Sequence, residues 1–380
     1  MRSTSQEILE VVPQGSNFVA DFKQNGMKII CAFDSFKGCM TAREACHATA
    51  SGLREQYPDA EIVCLPMSDG GEGMVDCIAG AVTSEMVSVK VHDPLMQPIV
   101  AQYALSIDGR AAYMEMAAAS GLTLVPKEKR NPMQTTTFGV GEMILDAVKR
   151  GCHRIVMGIG GSATCDGGRG MIECLEGHLP LSAGGEFAES IEIVVASDVS
   201  NPLYGPNGAA YVFAPQKGAT PEQVRLLDER LRAFAREMEA KGIAHPALAE
   251  HPGAGAAGGL GYGLMAYLGA TLQSGIDLLL DTIHFDEQIK DADFILTGEG
   301  KSDRQTLMGK VPQGVLNRAG RQGAPVHLLS GAIEDAAELT KAGFASVHSI
   351  NENDNRPLDI LMQKDVATAN IKKATQYGLF

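Results

Sequence analysis

Tryptophan is absent, and aromatic residues make up only 5% of the 380-residue chain. With 43 glycines beside that deficit, the composition favours an α/β protein with glycine loops over a β-sandwich. None of the eight cysteines forms a C-x-x-C pair, and all lie between Cys31 and Cys174. Several sit in apolar runs, where Cys behaves as a small hydrophobe. Neither a zinc site nor a disulfide framework is indicated, and reduced thiols in a cytoplasmic protein are expected. Basic charge is also in deficit, with 32 Lys and Arg against 46 Asp and Glu, for a net charge of −14. Such a field repels phosphate backbones and anionic lipid, so neither nucleic acid nor a membrane surface is an expected partner. Any anion this protein handles needs its few cations gathered at one site. The first 26 residues hold neither the apolar run nor the cationic start of a secretion signal. They read as an extension ahead of Met27-Lys28-Ile29-Ile30, which opens the first strand. Pro252 to Ile276 carries no charge, but its glycines suit a loop leading into a buried helix better than a membrane span.

What remains is ordinary globular composition: 45% hydrophobic, 21% charged, with a mean hydropathy of −0.02. Length suggests two domains. From Lys28 the chain alternates strand and helix. Lys28–Phe33 is an apolar run, Thr41–Tyr57 has helical spacing and opens on a Thr41/Glu44 capping box, and Glu61–Pro66 is a second strand. Residues 86–91, 99–107 and 111–116 read as consecutive strands joined by short turns, which predicts a mixed or antiparallel portion. Strands are expected again at 154–159, 191–197, 294–297, 326–330 and 345–350, with helices at 135–148, 221–241 and 311–321. A β/α rhythm at both ends around a different middle predicts two domains. One is a flavodoxin-like parallel α/β domain from residues 27–85 plus 286–380; the other is an inserted mixed α/β domain from 86–285.

Five glycine loops carry the chemistry: 34–38, 68–73, 158–164, 253–259 and 297–303. Most lie between a strand and a helix, at the carboxyl edge of a sheet, where open α/β folds bind ligands. Glycines let backbone N–H groups approach an anion. Acidic residues in these loops (Asp34, Asp69, Asp166, Asp198, Glu299, Asp303) can share a cleft with phosphate when Mg²⁺ joins them. Lys37, Lys217 and Lys310 each adjoin a glycine, and a transferring phosphoryl group needs fixed cations. Gly300-Lys301-Ser302 echoes the end of a P-loop, but the glycine required before it is missing. Gly158, Gly160 and Ala163 match a dinucleotide fingerprint, which keeps an NAD-dependent oxidoreductase acting on a small hydroxy acid as an alternative. A non-catalytic anion-binding protein is a third reading.

Taken together, the segments 32–38, 68–73, 115–122, 158–168, 197–203, 215–219, 253–261, 297–303 and 309–312 resemble the type-1 glycerate kinase family, over nearly the whole chain from Met27. The sequence departs from that pattern at Cys165, where the family usually has Asn, and at Ser197, where it has Cys; the stretch between Leu175 and Ile191 is also shorter. The resemblance implies ATP-dependent phosphorylation of D-glycerate with Mg²⁺, at the 2-hydroxyl in preference to the 3-hydroxyl. On that basis Asp198, Asp303 and Lys37 are the candidate catalytic residues. Gly160, Gly161, Ser162, Thr164, Gly255, Gly258, Gly298 and Gly300 are candidates for phosphate and nucleotide binding. Asp34, Ser35, Gly70, Gly71 and Lys310 are candidates for the substrate, and Asp69 and Glu299 for the metal. A homo-oligomer is left open. Deleting residues 1–26 is expected to leave the kinetic constants within about twofold, roughly 0.4 kcal/mol in barrier, which steady-state assays of the truncated protein would check.

Overall fold

Lys28–Phe33 has almost no polar side chain because both of its faces are covered, as a central parallel strand requires. The computed structural model describes residues 26–71, 73–176, 178, 191–352 and 354–376, and among these thirteen strands follow in chain order. They are β1 Lys28–Phe33, β2 Glu61–Cys64, β3 Ser84–His92, β4 Pro98–Ser106, β5 Ala111–Glu115, β6 Arg154–Gly158 and β7 Glu192–Ala196. Then come β8 Thr271–Gln273, β9 Phe294–Gly298, β10 Lys301–Ser302, β11 Val326–Ser330, β12 Ala332–Ile333 and β13 Ser346–Ser349.

Five of them form one parallel sheet in the order β13-β11-β9-β1-β2. Counted along the chain this is the flavodoxin order, and its switch point lies between β1 and β9. β1 therefore pairs with β9, the two in register from Ile29↔Phe294 to Phe33↔Gly298. The second sheet runs β3-β4-β5-β6-β7-β8. β3, β4 and β5 are antiparallel neighbours, while β5 to β8 are parallel. The mixed middle expected from the run of strands is thus present; β8 and the short β10–β12 pair carry too few residues to signal themselves.

Helices form three layers around the two sheets. Ala42–Gln56 and Lys364–Gln376 cover the outer face of the first sheet. The Thr41/Glu44 capping box starts the former as expected. Phe138–Lys149, Arg169–Glu176, Pro221–Ala240 and Ala256–Leu268 cover the outer face of the second. Between the sheets lie Met74–Ala81, Gly275–Thr282 and Val311–Gly320. Their apolar sides share one core with Ile30, Ala32, Ile295 and Leu328 of the first sheet and Ala104, Tyr113, Val156 and Val194 of the second. Among the described residues no helix is long and apolar enough to cross a membrane.

The two sheets meet through loops at their carboxyl edges, and glycine makes that approach available. A Cβ on Gly70 would lie 2.7 Å from the Cβ of Ala196 and 2.9 Å from the Cα of Gly275. A Cβ on Gly275 would lie 1.9 Å from the Asp69 carbonyl oxygen. Overpacking of this kind typically costs about 1–3 kcal/mol, and here the obstacle is backbone, which cannot swing aside. Gly275→Ala is accordingly expected to lose at least that much stability, read as a lower urea midpoint with an unchanged slope.

Candidate active site

The carboxyl ends of β1, β2 and β9 deliver Asp34, the 68–71 loop and Glu299 to the switch point, and the carboxyl ends of β6 and β7 deliver Gly158–Thr164 and Asp198 from the other side. The facing loops touch. A Cβ on Gly160 would lie 2.9 Å from Gly71 Cα, and one on Gly158 would lie 2.9 Å from the Gly70 carbonyl oxygen. Asp34 N donates to the Gly298 carbonyl (2.9 Å), fixing the first loop to the ninth strand.

Asp34 is 7% exposed, and its pKa is pushed up to about 7. Burial is the main cause, followed by repulsion from Asp69; the Ser35 N–H and Lys37 act in the opposite sense, and Glu299 adds further repulsion. Asp198 is likewise raised, first by burial, against a hydrogen bond from Gly275 N (3.0 Å), with Asp69 again repelling. Asp69, whose Oδ1 accepts from Gly71 N (3.2 Å), therefore acts electrostatically on both Asp34 and Asp198. Lys37 is exposed and reaches Asp34 through its charge.

Glu299 and Asp303 are engaged differently from the roles the sequence suggested. Glu299 Oε1 accepts from Thr306 Oγ1 (2.6 Å) and Ser302 Oγ (3.2 Å), and its Oε2 lies 3.4 Å from Lys310 Nζ. Protein donors already occupy both oxygens of this buried carboxylate, so it orients Lys310 more directly than it could hold a metal. Asp303 caps the turn Arg304–Leu307 by accepting from Gln305 N (2.8 Å), and its other oxygen lies 3.9 Å from Lys301 Nζ. Asp166 likewise serves structure, accepting from Thr137 N and Oγ1, Gly168 N and Gly170 N.

The glycines divide into two groups. Gly160 and Gly161 are exposed at the cleft, and Gly300 lies beside the Phe36–Lys37 backbone. Gly298, Gly255 and Gly258 instead accommodate backbone: a Cβ on each would lie 1.8 Å from Leu329 O, 2.2 Å from Pro202 O and 2.0 Å from Thr164 O. The 253–261 stretch thus braces the glycine loop from behind. Ala257, Gly258 and Gly259 keep positive φ within it. Past Gly158 the chain forms no helix until Arg169; it pairs with the 120–122 segment instead, through Leu122 N→Gly161 O and Ala163 N→Ser120 O. A dinucleotide fingerprint needs the helix to begin within its glycines, so the oxidoreductase alternative loses its footing. The Cys165 position is buried, and the shortening between Leu175 and Ile191 falls almost entirely outside the described residues.

Glu115, missed as a site residue, sits at the end of β5 and accepts from Val75 N (3.0 Å), anchoring the helix Met74–Ala81 that follows the 68–73 loop. Burial is the main influence raising its pKa. Its signal was its place at the end of a strand, just before Met116-Ala117-Ala118-Ala119-Ser120-Gly121. Among the described residues no group of three His, Cys, Asp or Glu is gathered to hold a metal by itself. Mg²⁺ asks for less, usually one or two carboxylates with phosphate oxygens and waters completing the shell. Asp69 and Asp198, which repel each other, fit such an ion.

Comparison with known proteins agrees with this geometry. The model of the glycerate kinase family matches residues 29–190 and 177–377. A glycerate kinase of Halalkalibacterium halodurans is 45% identical over 331 residues, covering 82% of this chain and 87% of its own. The glycerate 2-kinase of Escherichia coli is 41% identical, covering 85% and 90%. A crystal structure assigned to glycerate kinase 2 of Salmonella typhimurium superposes with a TM-score of 0.80 at 39% identity, covering 93% of this chain and 97% of that one.

The raised pKa of Asp34 has a measurable consequence. Between its ordinary value of 3.8 and about 7 the folded protein keeps a proton that the unfolded chain has lost, so this group's contribution to stability falls as pH rises through that window. Asp34→Asn is expected to melt at or above the parent's temperature at pH 8, with the difference vanishing near pH 4; calorimetry at the two pH values checks this. Strain of this kind at the meeting of two carboxyl edges belongs to a site built for ligand, and the sequence and structural matches agree that the chain belongs to the glycerate kinase family.

Proposed function

We propose that the protein transfers the γ-phosphoryl group of ATP to the 2-hydroxyl of D-glycerate, giving 2-phosphoglycerate and ADP. The reaction would occur in the cleft between a domain of residues 27–85 plus 286–380 and an inserted domain of residues 86–285. The observation that carries this reading is the meeting of the two carboxyl edges, with Asp34, Asp69 and Asp198 opposite the exposed Gly160–Gly161 backbone. Family membership supports the kinase chemistry. The preference for the 2-hydroxyl rests on the Escherichia coli relative, which is named a glycerate 2-kinase. Eight unpaired thiols suit a cytoplasmic enzyme.

Phosphoryl transfer asks the protein for positioning and charge more than for covalent chemistry. The substrate hydroxyl oxygen forms a bond to the γ-phosphorus while the bond to the bridging oxygen of ADP breaks. Asp34 takes the hydroxyl proton, since a carboxylate titrating near neutrality is suited to general base catalysis. Gly160, Gly161 and Ser162 offer donors to the phosphates. Lys37, and Lys310 held by Glu299, balance the carboxylate of glycerate and the transferring oxygens. Asp69 and Asp198 would hold Mg²⁺, whose positive charge neutralises the phosphates when it is bound.

Incubation with ATP, Mg²⁺ and D-glycerate, with the product resolved by phosphorus NMR, tests the reading. A 2-phosphoglycerate signal supports it, 3-phosphoglycerate overturns the regiochemistry, and no phosphorylated glycerate overturns the function. Lys37→Ala is expected to fold and melt within a few degrees of the parent, and to lose at least about a hundredfold in turnover. Near-parental turnover would remove Lys37 from the mechanism.

A further inference from the structure

Lys217 takes no part in the mechanism above. It belongs to the turn Pro215–Lys217, which Gly218 ends at φ 96°. That turn is pressed onto the 127–131 segment so closely that a Cβ on Gly218 would lie 2.3 Å from the Arg130 carbonyl oxygen. The side chain runs inward, 2% exposed, and its ammonium donates to Ser162 Oγ (2.5 Å) and to the Thr164 carbonyl (2.7 Å). Both acceptors are uncharged. Among the described residues no carboxylate forms an ion pair with Lys217, and Asp166 nearby is already satisfied by its four donors. Removing one ammonium from water costs several kcal/mol unless an opposite charge compensates it. Burial accordingly brings its pKa down to about 8, against the opposing influence of Cys165 and Asp166.

A second polar group in the same place lacks a partner. Thr164 Oγ1 is fully buried and makes no hydrogen bond among the described residues. The loop that carries both hydroxyls is rigid, tied by Leu122 N→Gly161 O (2.8 Å), Ala163 N→Ser120 O (2.9 Å) and Thr135 Oγ1→Ala163 O (3.0 Å). Its outward side, Gly160 and Gly161, is open to the cleft. A serine hydroxyl that accepts from an ammonium has its own proton left to donate, and a neighbouring cation strengthens that donation.

We propose that Lys217 is the positioning residue of a phosphate subsite, holding Ser162 so that its hydroxyl, charged from behind, donates to a phosphate oxygen of the nucleotide lying over Gly160–Gly161. The proposal rests on the kinase reading and deepens it: it gives the glycine loop of the second sheet to the nucleotide, leaving the Asp34–Lys37 side to the hydroxy acid. Lys217 does not itself touch the ligand. The anion supplies the counter-charge that the free protein lacks, so binding and protonation of Lys217 reinforce each other.

The test measures binding of a non-hydrolysable ATP analogue, AMP-PNP, by calorimetry without glycerate, alongside turnover and melting temperature. Lys217→Met is expected to weaken AMP-PNP at least about tenfold, the loss of a charge-assisted hydrogen bond. Its KM for glycerate should stay within twofold, and its melting temperature should not fall. A purely structural role predicts the reverse, lower melting with AMP-PNP affinity unchanged, and would overturn the proposal. In the parent, affinity should decline between pH 7.5 and 9.5 as Lys217 loses its proton. The groups facing Lys217 are the Cys165 thiol, raised to about 11 by burial, and Asp166, with Arg130 on the segment under the turn. Should Lys217→Met not fold, Ser162→Ala and the parent pH profile decide: Ser162→Ala binding AMP-PNP like the parent, or a flat profile, overturns the proposal. A parent that binds AMP-PNP with the expected pH dependence but does not phosphorylate glycerate would fail the functional reading and leave the subsite standing. A parent that phosphorylates glycerate while Lys217→Met binds AMP-PNP normally would do the opposite.

Discussion

The approach of the 68–71 loop to the second sheet is the constraint on which the site depends. Two sheets with covered faces can present their carboxyl edges to each other only if the connecting backbone comes within van der Waals contact. Gly70, Gly275, Gly158 and Gly160 supply that contact by having no side chain. The helices Met74–Ala81 and Gly275–Thr282 begin where the contact is made and bury their apolar sides against both sheets. Steric exclusion at a few positions and hydrophobic burial along two helices thus fix one geometry. The carboxylates then have little freedom, and their mutual repulsion persists because the backbone holding them is over-determined.

That repulsion is what makes the cleft chemically useful. Asp69 acts on both Asp34 and Asp198, and burial weakens the solvent's ability to disperse the charge. A protein with a net charge of −14 nevertheless keeps Lys37, Lys310 and Lys217 around the same loops. The cations differ in how they are held. Lys37 is exposed, Lys310 is tethered to a buried glutamate, and Lys217 is buried against neutral oxygens. Of the three, Lys217 is the buried one and forms no ion pair among the described residues, so it gains most from an arriving anion.

Much of this was legible in the sequence, for identifiable reasons. Strands such as Lys28–Phe33 and Arg154–Gly158 announce themselves because burial on both faces leaves a continuous apolar run, and the Thr41/Glu44 box fixes a helix start locally. That the carboxyl-edge loops of a parallel sheet lie together predicts one cleft for Asp34, Asp69, Asp198, Glu299 and Asp303; Asp69 acts on Asp34 and Asp198, while Glu299 and Asp303 are engaged by protein donors. Glycine was harder to read. The same residue type opens the backbone of Gly160 to solvent and lets Gly258 pack against Thr164 O, and only the tertiary neighbours separate the two uses. Asp303, a candidate base or metal ligand at the end of a glycine loop, accepts instead from the amide two residues on. The partnership of Lys217 with Ser162 spans more than fifty residues and leaves no periodic trace.

The order of strands in the first sheet also bears on how the chain is made. β1 lies at the centre of that sheet, but its neighbour β9 is encoded about 230 residues after β2. At a synthesis rate of roughly 5–20 residues per second, the interval is of the order of 10–50 s. Throughout it, β1 and β2 are outside the ribosome with one side of β1 unpaired, while the whole second sheet emerges and can complete its own pairing. Until β9 emerges, that side of β1 is an open edge whose pairing partner has not been made.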